Sequence, residues 1–304
     1  MGIILDGVFN HIAVGHPLEA HVAKNDDGSP RLFEGHGALL ELDHSDPAVT
    51  DYITDVLIHW LNRGAQGWRM DAAYRLDPAV WDRILPPVKQ AFPEAWFLGE
   101  VIHGDYAALA RDGALDSVTQ YELWKAIWSS IKDKNFWELA WTLDRHEAFS
   151  REFVTNTFVG NHDVSRIASI VGDDGAALAA IMLFTLPGMP SIYYGDEHGF
   201  RGEKGESFEA DDALRPELPD APQELADVGQ WLFHLYQGLV SLRRRNPWLV
   251  HGSITVEEKS ELTIRYSVTG EGHRLEASIA LEPKALATVT IDGVDVFGWG
   301  AEAS

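Results

Sequence analysis

Three carboxylates, Asp71, Glu100 and Asp163, each follow a short apolar run, and Asp71 and Asp163 each have a polar partner at hand: Arg69 for Asp71 and His162 for Asp163. Alternate residues of a strand point the same way, so Arg69 shares a face with Asp71 and can hold it charged and aimed in a dry pocket. Glu100 comes after Trp96, Phe97 and Leu98, an apolar approach that predicts a raised pKa and a retained proton. Two carboxylates in such opposite environments are what glycoside hydrolysis uses, one as nucleophile and the other as acid and then base. Each group also has a plainer explanation. Arg69 and Asp71 could be a structural ion pair, and Asp163 beside His162 could cap a loop.

Such groups can meet only if the elements beneath them bring strand ends together. Gly2 to Leu5 is a continuous apolar run ending in Asp6, the pattern of a strand buried on both faces. Asp46 to Arg63 carries a helical stripe, with Asp46 as N-cap, Pro47 at the first helical position and Gly64 as the stop. Strands ending at Asp71, Glu100, Gln120, Gly160 and Tyr194 follow, interleaved with helices. Pro86 and Pro87 are expected to bend or end the helix that starts at Asp77-Pro78, while Trp60 and Trp81 lie on helical stripes and read as packing residues. Six strand-then-helix units with polar residues at strand ends predict a parallel α/β fold of the (β/α)-barrel type over residues 1–250. From 251 to 304 the texture changes to alternating strands with turn residues, a small antiparallel β domain.

Composition narrows the partners. Asp and Glu total 47 against 24 for Lys and Arg, a formal net charge of -23, so nucleic acid and anionic membrane surfaces are disfavoured and a neutral ligand is easier to accept. The absence of cysteine removes thiolate chemistry and, with no signal peptide in view, leads to the expectation of a cytoplasmic protein. The apolar stretch from Ala176 to Pro190 reads as too short and interrupted to span a bilayer.

The motifs are specific enough to carry a resemblance. Asp6-Gly7-Val8-Phe9-Asn10-His11, Gly67-Trp68-Arg69-Met70-Asp71-Ala72-Ala73, Gly99-Glu100-Val101-Ile102 and Phe158-Val159-Gly160-Asn161-His162-Asp163 occur in order, followed by Pro187 to Pro190 and Tyr194-Gly195-Asp196-Glu197. In these stretches the chain resembles the α-amylase family of glycoside hydrolases over residues 2 to 250. The resemblance implies Asp71 as nucleophile, Glu100 as general acid/base and Asp163 as the residue that grips sugar hydroxyls and stabilises the transition state. His11, Arg69 and His162 would line the same sugar subsite, with Asp6 a structural carboxylate at its base. Tyr74 and His103 sit where they could touch substrate. Tyr74 stands where many starch-acting members carry a lysine. Asn10 matches a position that binds calcium in many members, so a structural calcium is an expectation there, while the chemistry requires no cofactor.

By the same resemblance Asp6 ends the third barrel strand, so the chain encodes the third to eighth units and is expected to lack the first two. A trimmed or misassigned start is the favoured explanation. The inserted segment at about 12–44 is short. The implied activity is retaining hydrolysis of α-glucosidic bonds in malto-oligosaccharides or starch-like α-glucans. The alternatives are a transglycosylase or glucosyl isomerase of the same family, and a catalytically silent, carbohydrate-binding remnant.

Overall fold

A computed structural model describes residues 1–205, 208–225 and 227–300, with the backbone alone for 208–210. The described chain forms two compact units, Met1–Thr119 and Gln120–Ser304.

The first unit is built on four parallel strands, β1 (Ile4–Gly7), β4 (Gly67–Met70), β5 (Trp96–Gly99) and β6 (Ser117–Thr119), hydrogen-bonded in that order. A short antiparallel pair, β2 (His11–Ala13) and β3 (Leu39–Glu41), lies between β1 and β4 in the chain. Helix α1 (Pro47–Leu61) starts as its sequence dictates: the Asp46 side chain accepts from the Ala48 N–H and Pro47 fills the first turn. It buries Val49, Ile53, Leu57 and Leu61 at helical spacing. Helix α2 (Pro78–Ala91) buries Val80, Trp81, Ile84, Leu85 and Val88, and α3 (Tyr106–Arg111) precedes β6.

In the second unit, helices α4 (Tyr121–Lys132) and α5 (Trp137–Ser150) lead to the parallel strands β7 (Val154–Thr157) and β8 (Met189–Pro190), with α6 (Ile167–Thr185) between them and α7 (Gln230–Arg245) after. Five antiparallel strands, β9 (Ser253–Lys259), β10 (Thr263–Gly270), β11 (His273–Ala280), β12 (Leu286–Ile291) and β13 (Val294–Trp299), form one sheet in chain order. This sheet shares a continuous apolar core with the helices: Leu183, Leu239 and Leu242 pack in one cluster with Ile264, Tyr266 and Val289. Arg243 closes the C-terminal end of α6 by donating to the carbonyls of Phe184, Leu186 and Gly188. Burial lowers its pKa to about 10, so it keeps its charge at neutral pH.

The α/β class, a set of six parallel strands and the antiparallel sheet are those the sequence predicts, but β8 is Met189–Pro190 rather than a strand running to Tyr194, and Ile3 and Ile4 are exposed rather than buried on both faces. Several details differ. Pro86 and Pro87 do not end α2, because they and residues 82 and 83, whose carbonyls lose their donors, lie on the solvent side where water can replace the missing bonds. Trp60 is 45% exposed rather than packed, with Arg63 over its ring. The strand expected at 157–160 runs instead from 154 to 157, leaving Phe158 to Gly160 beyond its end. The inserted segment at about 12–44 holds β3 and most of β2, neither of which was foreseen, and β13 went unforeseen as well. Helix α6 is long and apolar enough, by length and composition, to cross a membrane. It breaks at Gly172 (φ 72°), and residues 175–185 are buried in the unit's own core, as expected of a core helix.

Candidate functional site

The parallel register of β1 with β4 sets Asp6 opposite Arg69, and that of β4 with β5 sets Met70 opposite Gly99. The ladder continues past the strand ends: the Asp71 N–H donates to the Gly7 carbonyl and the Glu100 N–H to that of Met70. Three carboxylates therefore emerge around one guanidinium. Arg69 Nη1 donates to Asp6 Oδ1 at 2.7 Å and to Asp71 Oδ1 at 2.9 Å, while Nη2 pairs with Glu100 Oε1 at 2.6 Å. Burial would lower the pKa of Arg69, but Glu100, Asp6 and Asp71 outweigh it and hold the group above its ordinary value. Its charge is permanent.

Ala72 follows Asp71 in the left-handed region (φ 47°), which costs a residue with a Cβ about 1–2 kcal/mol. That conformation aims its N–H at Glu100 Oε2, 2.9 Å away. The expectation that Glu100 sits in an apolar surround is thus only half met. Trp96, Phe97 and Leu98 do precede it, yet its carboxylate faces a guanidinium and an amide donor, both of which favour the charged form.

Around this cluster the remaining residues divide. His11 stacks on Phe33 at 4.0 Å and feels Asp71, Glu34 and Glu41, but burial dominates and lowers its pKa, so it is neutral at pH 7. Tyr74 donates to Glu34 Oε1 at 2.9 Å and meets the His103 ring edge-on at 4.8 Å. Burial and the Glu34 contact raise its pKa, keeping it a phenol. Asn10 is buried, and its carbonyl accepts from the Leu42 N–H. Among the described residues no group of three or more His, Asp or Glu side chains could hold a metal ion, and no step below depends on calcium.

In the second unit, Asp163 sits on a turn beyond β7. Its N–H donates to Asn161 Oδ1, Asn161 Nδ2 donates to the Tyr121 hydroxyl, and His162 Nε2 lies 3.1 Å from Asp163 Oδ2. Arg215 reaches Asp163 Oδ1 at 3.4 Å and the His162 carbonyl at 3.2 Å, and Lys204 donates to the Asp163 carbonyl. These two cations escaped sequence reasoning. Their signal was present: lone basic residues within an acidic loop, from Arg201 to Pro222, that read only as biased composition. Glu41 was also missed; it is buried between Arg31 and Arg75, and nothing local distinguishes it from an exposed acid.

A family model described as the α-amylase catalytic domain matches residues 31–224, a span that holds Arg69, Asp71, Tyr74, Glu100, His103, His162 and Asp163 but not Asp6, Asn10 or His11. The chain is 29% identical over 216 residues to a cyclomaltodextrinase of Thermoanaerobacter pseudethanolicus, covering 68% of this chain and 36% of that protein. It is 29% identical over 225 residues to neopullulanase 2 of Thermoactinomyces vulgaris, covering 71% of this chain and 37% of that one. The chain thus spans little more than a third of the length of these curated relatives. Its fold is similar to that of the ligand-free cyclic α-maltosyl-(1→6)-maltose hydrolase of Arthrobacter globiformis, with a TM-score of 0.80 and 22% identity over 98% of this chain and 74% of that one.

Proposed function

Because the chain belongs to the α-amylase catalytic-domain family, we propose that it is a retaining glycoside hydrolase that cleaves α-glucosidic bonds in malto-oligosaccharide or starch-like substrates. The observation that carries this reading is the single guanidinium shared by Asp71 and Glu100. Sharing it places a nucleophile candidate and an acid/base candidate in one site, as a pair of carboxylates flanking a glycosidic bond must be. The names of the cyclomaltodextrinase and neopullulanase relatives support an α-glucan as substrate.

In this reading an Asp71 oxygen attacks the anomeric carbon as the glycosidic carbon–oxygen bond breaks, and the departing oxygen takes the proton of Glu100. Glu100, now a carboxylate, removes a proton from water, whose oxygen attacks the same carbon and frees Asp71. Arg69 fits both halves. It orients Asp71 for attack and favours the carboxylate form of Glu100 that the second step requires. The acid form needed first is favoured when a bound sugar displaces water from Glu100 and dries the site. Asp163 takes the hydroxyl-gripping part by its place in the fourth motif, and His11, neutral and stacked, can donate to or accept from a sugar hydroxyl.

Proton NMR of the first product formed from a malto-oligosaccharide tests the stereochemistry. The α-anomer is expected before mutarotation. A β-anomer as first product would overturn the Asp71 nucleophile, and a disproportionated ladder of longer glucans would favour transfer to sugar over transfer to water.

A further inference from the structure

Beyond the groups assigned above, the second unit contains a charge pair that the reaction does not use. Arg166 and Asp196 are 0% and 1% exposed and meet at 2.9 Å. Burying two opposite charges is a weak way to stabilise a fold, so a pair kept at full burial invites a search for what it fixes. Its contacts answer directly. Arg166 lies three residues after Asp163 in the sequence. Its guanidinium donates to the Tyr194 carbonyl at 2.6 Å and the Leu214 carbonyl at 2.8 Å, and lies 4.0 Å from the centroid of the Tyr193 ring. Leu214 immediately precedes Arg215, whose guanidinium reaches both His162 and Asp163. On the other side, Asp196 packs against Gly160, the residue just before Asn161-His162-Asp163: a Cβ on Gly160 would fall 2.3 Å from Asp196 Oδ2. That oxygen is buried and has no hydrogen-bond partner of its own.

We propose that the buried Arg166–Asp196 pair is a positioning device for Asp163, setting the start of its turn through Gly160 and the approach of Arg215 through Leu214. The claim rests on the part given to Asp163 above, while its geometry stands apart from that part. Gly160 has an ordinary backbone conformation, so what excludes a side chain there is the carboxylate. A guanidinium is also the one basic group able to serve Asp196, the Tyr194 carbonyl and the Leu214 carbonyl in fixed directions at once. Neither Arg166 nor Asp196 is placed to touch substrate.

The test uses Gly160→Ala, which pushes on the carboxylate, and Asp196→Asn, which keeps its shape and removes its charge. Leu275→Ala, on the buried face of β11, serves as a control for destabilisation without disturbance of the turn. Each is made in the full 304-residue chain and measured well below its Tm. One readout is the Asp163 carboxyl and His162 ring signals in ¹³C and ¹⁵N NMR, assigned with Asp163→Asn; the other is the split between kcat and KM on maltotriose. Both turn variants should shift the Asp163 and His162 signals and lower kcat about a hundredfold with KM nearly unchanged, as a misplaced catalytic group does. The control should leave the signals in place and kcat within about twofold. Unmoved signals in both turn variants, or an equal kcat loss in the control at a matched drop in Tm, would overturn the proposal. If the unmodified chain shows no hydrolysis, the hydrolase reading fails and the NMR signals alone decide this one. Should Asp196→Asn fail to fold, Gly160→Ala still decides, since it leaves both charges in place.

Discussion

Arg69 in the first unit and Arg166 in the second are both buried arginines paired with carboxylates, yet they are built for different work. Arg69 keeps 17% of its side chain in contact with solvent and faces three carboxylates, an excess of negative charge that no folding argument requires. Arg166 is fully enclosed, balanced by one carboxylate, and its two terminal nitrogens also donate to the backbone carbonyls of Tyr194 and Leu214. An unbalanced, partly wet cluster is suited to chemistry, because its carboxylates can exchange partners with a ligand. A balanced, dry one is suited to holding backbone still. The environment, rather than the residue type, decides which role an arginine takes.

This contrast can be broken by mutation. Arg166→Met should cost about 3–5 kcal/mol of stability, because Asp196 is left buried without its partner; urea unfolding at pH 7 measures it, and a loss below 1 kcal/mol would erase the distinction. Arg69→Met should act mainly on rate. A fall in kcat/KM of roughly a hundredfold, about 3 kcal/mol, is expected from the loss of a preorganised cation at the reacting groups, with a smaller change in stability than Arg166→Met.

How much of this was legible in the sequence differs between the two units in the same way. Arg69, Asp71 and Glu100 could be read because each lies within a few residues of a strand end, where period-two alternation fixes which side chains share a face. The pair Arg166–Asp196 joins positions 30 residues apart, and only the folded chain shows that Gly160 must be bare for Asp196 to fit. Leu214 and Arg215 are set by tertiary hydrogen bonds from Arg166 and Tyr193, with no periodic pattern to announce them. The part of Glu100's environment that the sequence did not show was hidden for a related reason. The apolar residues before it describe its strand, whereas its carboxylate meets Arg69 and the Ala72 N–H, which the neighbouring strand and its end present.

A finer contrast lies in the response to acid. His146, buried in the second unit with Nε2 against the Pro187 carbonyl, has its pKa lowered by burial to about 4. Since its folded value lies below the unfolded value of 6.5, its contribution to stability is intact above pH 6.5 and is lost as pH falls from 6.5 towards 4, by about 3 kcal/mol. Asp196, raised by burial to about 6, works in the opposite sense over nearly the same window, because protonation relieves a buried charge. His146→Gln should therefore gain up to about 3 kcal/mol relative to the unmodified chain between pH 6.5 and 4 in urea unfolding; parallel curves would show that the ring is not as dry as it looks. The first unit offers the smallest test. Asp46→Ala removes the cap of α1 and its contact with His21, and should cost about 1 kcal/mol, with the Arg69 cluster and its chemistry unaffected.

Whether the carboxylates gathered on Arg69 perform glycoside hydrolysis can be measured in one experiment. An activated α-glucoside is offered to the chain and to Asp71→Asn, with mass spectrometry of the quenched protein. The unmodified chain should release the leaving group and carry a glycosyl adduct on the peptide that contains Asp71, and the variant should lose both. Turnover that survives Asp71→Asn, or an adduct on a different residue, would contradict that expectation.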